Sequence, residues 1–329
     1  MSLAALGVDY VILALTPNLW WLVAGRVIAG LLGGTFTAAS AYIADISPPE
    51  KGAQNFGLIG AAFGVGFIAG PMIGGLLGEF GPRLPFIAAA GLSFANCLFG
   101  IFVLPESLKP ENRRRFSLRE GNPVGAFVKV SVYPAVMSLI VVAILANLAE
   151  RGLEATWVLF STYRFGWGTF DVGLSLAAVG VLTVIVQGGL IRIIIPILGE
   201  WRTLVMGLAV AAISFFLYAF ATEGWMVYAI MVFHIVGWGC SGPAIQALAS
   251  RAVPDNEQGL VQGVLMGLAT ATVIVGSPLA AIVFGYFISP AAPFIFPGAA
   301  FFVGALLFAA SLFFVSRTPV ERHTVAEVV

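Results

Sequence analysis

Apolar runs of roughly twenty residues recur along the whole chain, broken by short polar loops, and this single pattern rules out most folds. A helix needs about 20 apolar residues to cross ~30 Å of hydrocarbon. Ten such runs can be read, at 2–16, 19–44, 54–77, 85–104, 131–161, 170–196, 202–221, 224–248, 258–288 and 295–316. None alternates with a period of two. Lipid offers no partner to open backbone, so every span must be helical. Only 10% of residues are charged and 60% are hydrophobic, against about one quarter charged in an ordinary soluble domain. Too few charged side chains remain to cover a water-exposed surface, so the chain reads as an all-α, polytopic membrane protein.

Charge and motif content exclude further classes. Sixteen basic and sixteen acidic residues balance, leaving no basic field for nucleic acid. Cys97 and Cys240 both lie inside apolar runs and imply no disulfide framework. There is no GxxxxGK phosphate loop, HExxH, GxSxG or paired CxxC, so neither a cofactor, a resident metal nor an enzymatic activity is expected. The start, Met1-Ser2-Leu3, lacks the charged region of a signal peptide. No feature sets an oligomeric state.

Lys and Arg set the expected orientation. The segments 45–53, 105–130, 192–202, 249–257 and 317–329 hold twelve of them, including Lys51, Arg113, Arg114, Arg115 and Arg251, while the opposite loops hold only Arg83 and Arg164. This bias places both termini on the cytoplasmic side. The run Arg113–Arg115 reads as a solvated anchor at an anionic membrane face. The longest polar stretch divides the chain into a four-helix part (1–104), a cytoplasmic linker (105–130), a six-helix part (131–318) and a tail (319–329).

The two helical parts look alike. A shift of 207 residues aligns Gly30 with Gly237, Glu50 with Glu257, Gly52 with Gly259, Gly60 with Gly267 and Pro71 with Pro278, the pattern of a parallel internal repeat. The same shift puts the counterpart of Ser131 before residue 1. Two helices of a six-plus-six plan are therefore expected to be missing, and the short first run agrees, with only about 22 Å of helical rise.

Within 54–77, Gly66-x-x-x-Gly70-Pro71-x-x-Gly74-Gly75 forms a ridge of small residues, the kind that lets helices approach closely. This run resembles the antiporter signature of the major facilitator superfamily, and Arg26-x-x-x-Gly30 one helix earlier resembles its fourth-helix motif. Val8-Asp9-Tyr10, Gly25-Arg26, Ala41-Tyr42-Ile43-Ala44-Asp45, Leu104-Pro105-Glu106-Ser107, Gly224-Trp225-Met226 and Pro243-Ala244-x-Gln246-Ala247 resemble the tetracycline-resistance-type drug/proton antiporters. The resemblance runs from the family's third helix to its twelfth. It implies a duplicated bundle with a cavity between its halves, small-molecule and proton traffic by alternating access, and a bacterial inner membrane. Two features depart from the pattern. The first two helices and the charged loop that partners the acid matching Asp45 are absent, and Ala211 stands where tetracycline exporters carry an acid. A metabolite or sugar carrier of the same superfamily, or a non-transporting membrane remnant, are the competing readings.

Ionisable groups inside spans cost at least ~2.5 kcal/mol each and are site candidates by default. Asp9 and Arg26 lie eight or nine residues either side of the Thr16–Asn18 turn, so an ion pair is geometrically allowed. It reads either as a titrating acid with its cation or as mutual neutralisation between packed helices. Glu150, Glu154 and Trp157 are spaced to share one helical face, with Arg151 able to neutralise one carboxylate. Facing a cavity, the acids would hold a proton or a cation; the alternative is a packed ion pair plus one acid at the outer mouth. His234 falls near mid-membrane, as proton relay or as an interhelical hydrogen bonder. Gln187 and Gln246 are polar candidates for the substrate path, with packing as their alternative role.

Overall fold

The computed structural model describes residues 2–16, 18–32, 35, 39, 42, 52–105, 123–254 and 258–317. Eleven helices run through them: α1 (Ser2–Leu15), α2 (Leu19–Leu32), α3 (Gly52–Phe80), α4 (Leu84–Phe102), α5 (Pro123–Val130), α6 (Pro134–Phe165), α7 (Thr169–Leu198), α8 (Glu200–Phe220), α9 (Gly224–Arg251), α10 (Gln258–Phe287) and α11 (Ala299–Arg317). Among the described residues, seven are long and apolar enough to cross a membrane, and three shorter apolar stretches, Ser2–Leu15, Leu19–Gly30 and Gly64–Phe80, join them. Each of the ten apolar runs overlaps one of these stretches, with most of 33–44 lying outside the described residues.

Local chemistry sets the helix ends. Pro134 opens α6, where its missing N–H is no loss and its fixed φ suits the first turn. Gly166 closes that helix in the left-handed region at φ 69°, and its N–H reaches back to the carbonyls of Ser161 and Thr162, a conformation that a side chain would strain. At 32 residues, α6 rises about 48 Å and outruns the hydrocarbon thickness. Helix α5 lies inside the stretch assigned to the linker. Pro123 starts it, and Pro134 follows soon after it ends.

The chain divides into two compact units: residues 1–116 with 168–180, and 117–167 with 181–329. In the first, α1 packs along α4 and α2. The first turns of α7 approach α3 closely in this unit. A Cβ added at Gly173 would sit 2.8 Å from the Pro71 carbonyl oxygen and 3.0 Å from Gly75 Cα. The ridge of small residues is thus used at Gly75 and beside Pro71. Cβ atoms at Gly66, Gly70 and Gly74 would meet no described atom within 4 Å. At 100° per residue Gly74, Gly70 and Gly66 lie about 100°, 140° and 180° from Gly75, away from the face it turns to α7.

In the second unit α6 lies along α10 and α11, and α8 along α9 and α11. Leu139, Ile140, Leu208, Phe215, Met231 and Phe308 are fully buried at its centre. The α8–α9 crossing is close: a Cβ on Gly207 would lie 2.5 Å from the Gly237 carbonyl oxygen. Such approach is how helices gain van der Waals contact where lipid supplies no hydrophobic drive. Pro71 and Pro278, the strongest pair in the sequence repeat, both sit inside long helices.

Candidate functional site

Four ionisable side chains lie within the helices of the second unit's centre, and the structure sorts them into two pairs. His234 of α9 and Glu150 of α6 meet at 2.8 Å, imidazole Nε2 to carboxylate Oε1. Both are buried, at 3% and 5% exposure. Phe215 and Tyr218 of α8 stand edge-on to the imidazole, with ring centroids at 5.3 and 5.8 Å and interplanar angles of 83° and 85°. Trp157, two turns along α6, packs edge-on against Tyr218 at 5.7 Å. The result is a carboxylate–imidazole pair walled by aromatic rings.

Arg151 and Glu154 form the other pair, Nη1 to Oε2 at 2.5 Å. Glu154 is half exposed, whereas Glu150 is not. The expected common face of Glu150, Glu154 and Trp157 is therefore split. Taking Glu150 as zero, 100° per residue puts Glu154 near +40° and Trp157 near −20°. The packed interior claims Glu150 and Trp157, and Glu154 falls over its edge. Arg151 presents Nη1 to Glu154, while its Nε is buried without a partner among the described residues.

In the first unit, Arg26 of α2 donates to Asp9 Oδ2 of α1. Asp9 is fully buried and Arg26 about half exposed. Gly25 makes the geometry possible, since a Cβ there would come within 2.8 Å of Asp9 Oδ1. That oxygen is buried and has no hydrogen-bond partner among the described residues. Gly30 lies on α2, where an added Cβ would meet no described atom within 4 Å, and Asp45 falls outside the described residues. Gln187 is exposed within a π-helical turn of α7, Val186–Leu190. Gln246 is also exposed; its backbone carbonyl accepts from Gln262 Nε2 of α10 at 3.1 Å.

Two further contacts went unread in the sequence. Arg164 Nε donates to the Ala221 carbonyl at 3.1 Å, capping the end of α8. Arg251 and Glu200 pair at 2.7 Å where α9 ends and α8 begins. No group of three or more His, Cys, Asp or Glu that could hold a metal ion occurs among the described residues.

A bundle of long apolar helices with charged pairs folded into its interior defines a multi-pass integral membrane protein of the secondary-transporter class. The sequence pattern described as Major Facilitator Superfamily matches residues 1–270, and this chain belongs to that family. It is 40% identical over 323 residues to the class C tetracycline resistance protein of Escherichia coli, covering 98% of this chain and 80% of that one. It is also 39% identical over 279 residues to the class G tetracycline resistance protein of Vibrio anguillarum, covering 84% and 70%. The fold is shared with the solved nucleoside transporter NupG, with a TM-score of 0.77 at 12% identity over 97% of this chain and 82% of that one. Such proteins carry small molecules across membranes and are not enzymes.

Proposed function

We propose that this chain exports amphiphilic drugs of the tetracycline kind in exchange for protons, by alternating access. The observation that carries the reading is the buried Glu150–His234 pair, set in a chain so similar to named tetracycline resistance proteins. An exchanger needs a group that titrates near neutral pH and is reached by water from one side at a time. Imidazole is the side chain whose ordinary titration falls there, and Glu150 gives it a partner of opposite charge.

Ala211 bears on the substrate. It lies one helical turn before Phe215, whose ring packs on His234. In this reading Glu150 brings from α6 the carboxylate that position 211 lacks. Asp9 with Arg26, and Arg151 with Glu154, are the remaining charged candidates for proton or drug contact, with Trp157 and Gln246 as candidate contacts on the drug path. Gly30, Gly66, Gly70, Pro71, Gly74 and Gly75 serve as structural positions, and residues 105–130 serve as the cytoplasmic link between four-helix and six-helix parts. The protein sits in a bacterial inner membrane with both termini inside.

Transport in everted membrane vesicles tests the reading. With a proton gradient imposed, vesicles from cells expressing the chain should accumulate labelled tetracycline and lose it when the gradient is collapsed. Gradient-independent accumulation, or none for any of several amphiphilic drugs, would overturn it.

A further inference from the structure

We propose that Glu150 and His234 act as a one-proton lock, holding a single shared proton while the bundle is closed around them and exchanging it only when water reaches the pair. This rests on the reading of proton-coupled export and assigns its coupling site.

The argument is one of charge counting in a dry interior. Carboxylate with neutral imidazole has a net charge of −1, and carboxylic acid with imidazolium a net charge of +1. The state with one proton between them is neutral, whether written as an ion pair or as acid and imidazole. Unpaired charge inside a membrane bundle is costly, so the two outer states are disfavoured while the pair is shut away from water. Neither ion of a buried pair is easily lost alone, because removing one strands the other.

The nearest other charges are themselves a pair, with Glu154 close enough to Glu150 for the two carboxyl groups to repel. On α6, Arg151 and Glu154 neutralise one another at 2.5 Å. Helix α8 contributes the phenol of Tyr218, and its Glu200 and Arg202 lie at the far end of that helix. Helix α9 adds the phenol of Tyr228 near its start, the thiol of Cys240 and, at its last residue, Arg251, and α7, packed on α9, brings Arg192 near its end. The described residues of α10 and α11 offer only Tyr286 and Arg317, each at or next to a helix end. Phe215 and Tyr218, both almost completely buried, shield the imidazole from water. Opening the bundle replaces these rings with water, which solvates the charged states and frees the pair to gain or lose its proton. Proton exchange is thereby tied to conformation without any further gate.

The chain's two histidines, His234 and His323, make a direct test possible. In the full chain carrying His323→Ala, nitrogen-15 labelling of imidazole reports His234 alone. Reconstituted without drug, its signal should hold one protonation state from about pH 5 to pH 8, the range in which an ordinary imidazole titrates. Glu150→Gln should change that state or restore a titration. A normal one-site titration that is indifferent to Glu150→Gln would overturn the lock.

Transport supplies the other arm, in proteoliposomes with an imposed proton gradient. Glu150→Gln and His234→Gln strand a partner and risk misfolding. The double variant keeps polar groups without charge and is checked for a single species by size exclusion. It should lose gradient-driven tetracycline accumulation. Wild-type coupling that survives in the folded double variant overturns the lock and leaves coupled export standing. A wild type that moves drug with no proton flux overturns both.

Discussion

Replacing Gly207 by Ala should weaken the protein, whereas the same replacement at Gly70 should not. Both residues lie inside long helices, so each gains about 0.8–1.0 kcal/mol of helix propensity. They differ in what the new methyl meets. At Gly207 it lies 2.5 Å from the Gly237 carbonyl oxygen, with Ser241 Oγ also in its way, and α9 approaches reciprocally, a Cβ on Gly237 falling 2.8 Å from the Gly207 carbonyl. Carbon–oxygen contacts across helices settle near 3.3–3.6 Å, so the crossing must open by roughly 1 Å. Overpacking of this sort costs about 1–3 kcal/mol, and backbone on the far side cannot turn aside as a side chain would. A backbone obstacle puts the cost in the upper part of that range, about 2–3 kcal/mol, and subtracting the propensity gain leaves a net loss of about 1–2 kcal/mol, or a fall of roughly 2–8 °C in the melting midpoint of a unit this size. At Gly70 the methyl meets no described atom within 4 Å, leaving only the propensity gain. Cys240 reports the outcome: it is buried on α9 three residues after Gly237. In a Cys97→Ser background, a thiol-reactive dye should label it only as the bundle melts. Gly207→Ala melting at or above its parent would refute the close-packing argument.

The same dye assay separates the two acids of α6. Glu150→Ala strands His234 and should cost about 3–5 kcal/mol, as breaking buried pairs does, while loss of the half-exposed Glu154 should shift stability by less than about 1 kcal/mol. Arg26→Ala should cut the yield of folded protein because it leaves the fully buried Asp9 without its cation; Asp9→Asn combined with Arg26→Gln should recover the yield, and no recovery would mean that the pair does more than neutralise charge. Reporter fusions after Ser107 and Arg322 should read cytoplasmic and those after Pro82 and Thr222 external; a cytoplasmic signal at Thr222 would break the ten-span reading.

The spans were legible because each depends on its own run of apolar residues, and a run long enough to cross lipid has few alternatives. Contact between Asp9 and Arg26 was legible for a related reason. A tight turn joins their helices, so equal spacing from the turn means equal depth. Glu150 and His234 are 84 residues apart, and no local rule selects which helix faces which. One signal was available: both fall at similar depth counted from the same side, ten residues from Gly224 and fourteen from Arg164. Depth matching brings them to one level, and only packing brings them together. Glu150, Glu154 and Trp157 do lie within an arc of about 60°, yet they differ in burial. Spacing gives angles along one helix but not where the neighbouring helices end their cover.

The π turn at Val186–Leu190 changes how α7 is wound. Such a turn holds one residue more than the helix on either side. Beyond Leu190 every side chain is therefore displaced by roughly 100° from where continuous α-helical winding would put it. Val186 at its start packs against Gly239 of α9, and a Cβ added at Gly188 or Gly189 would meet no described atom within 4 Å. Deleting either glycine does more than shorten the helix: it rewinds the slip and swings Ile191–Leu198, Arg192 included, to a different side of α7.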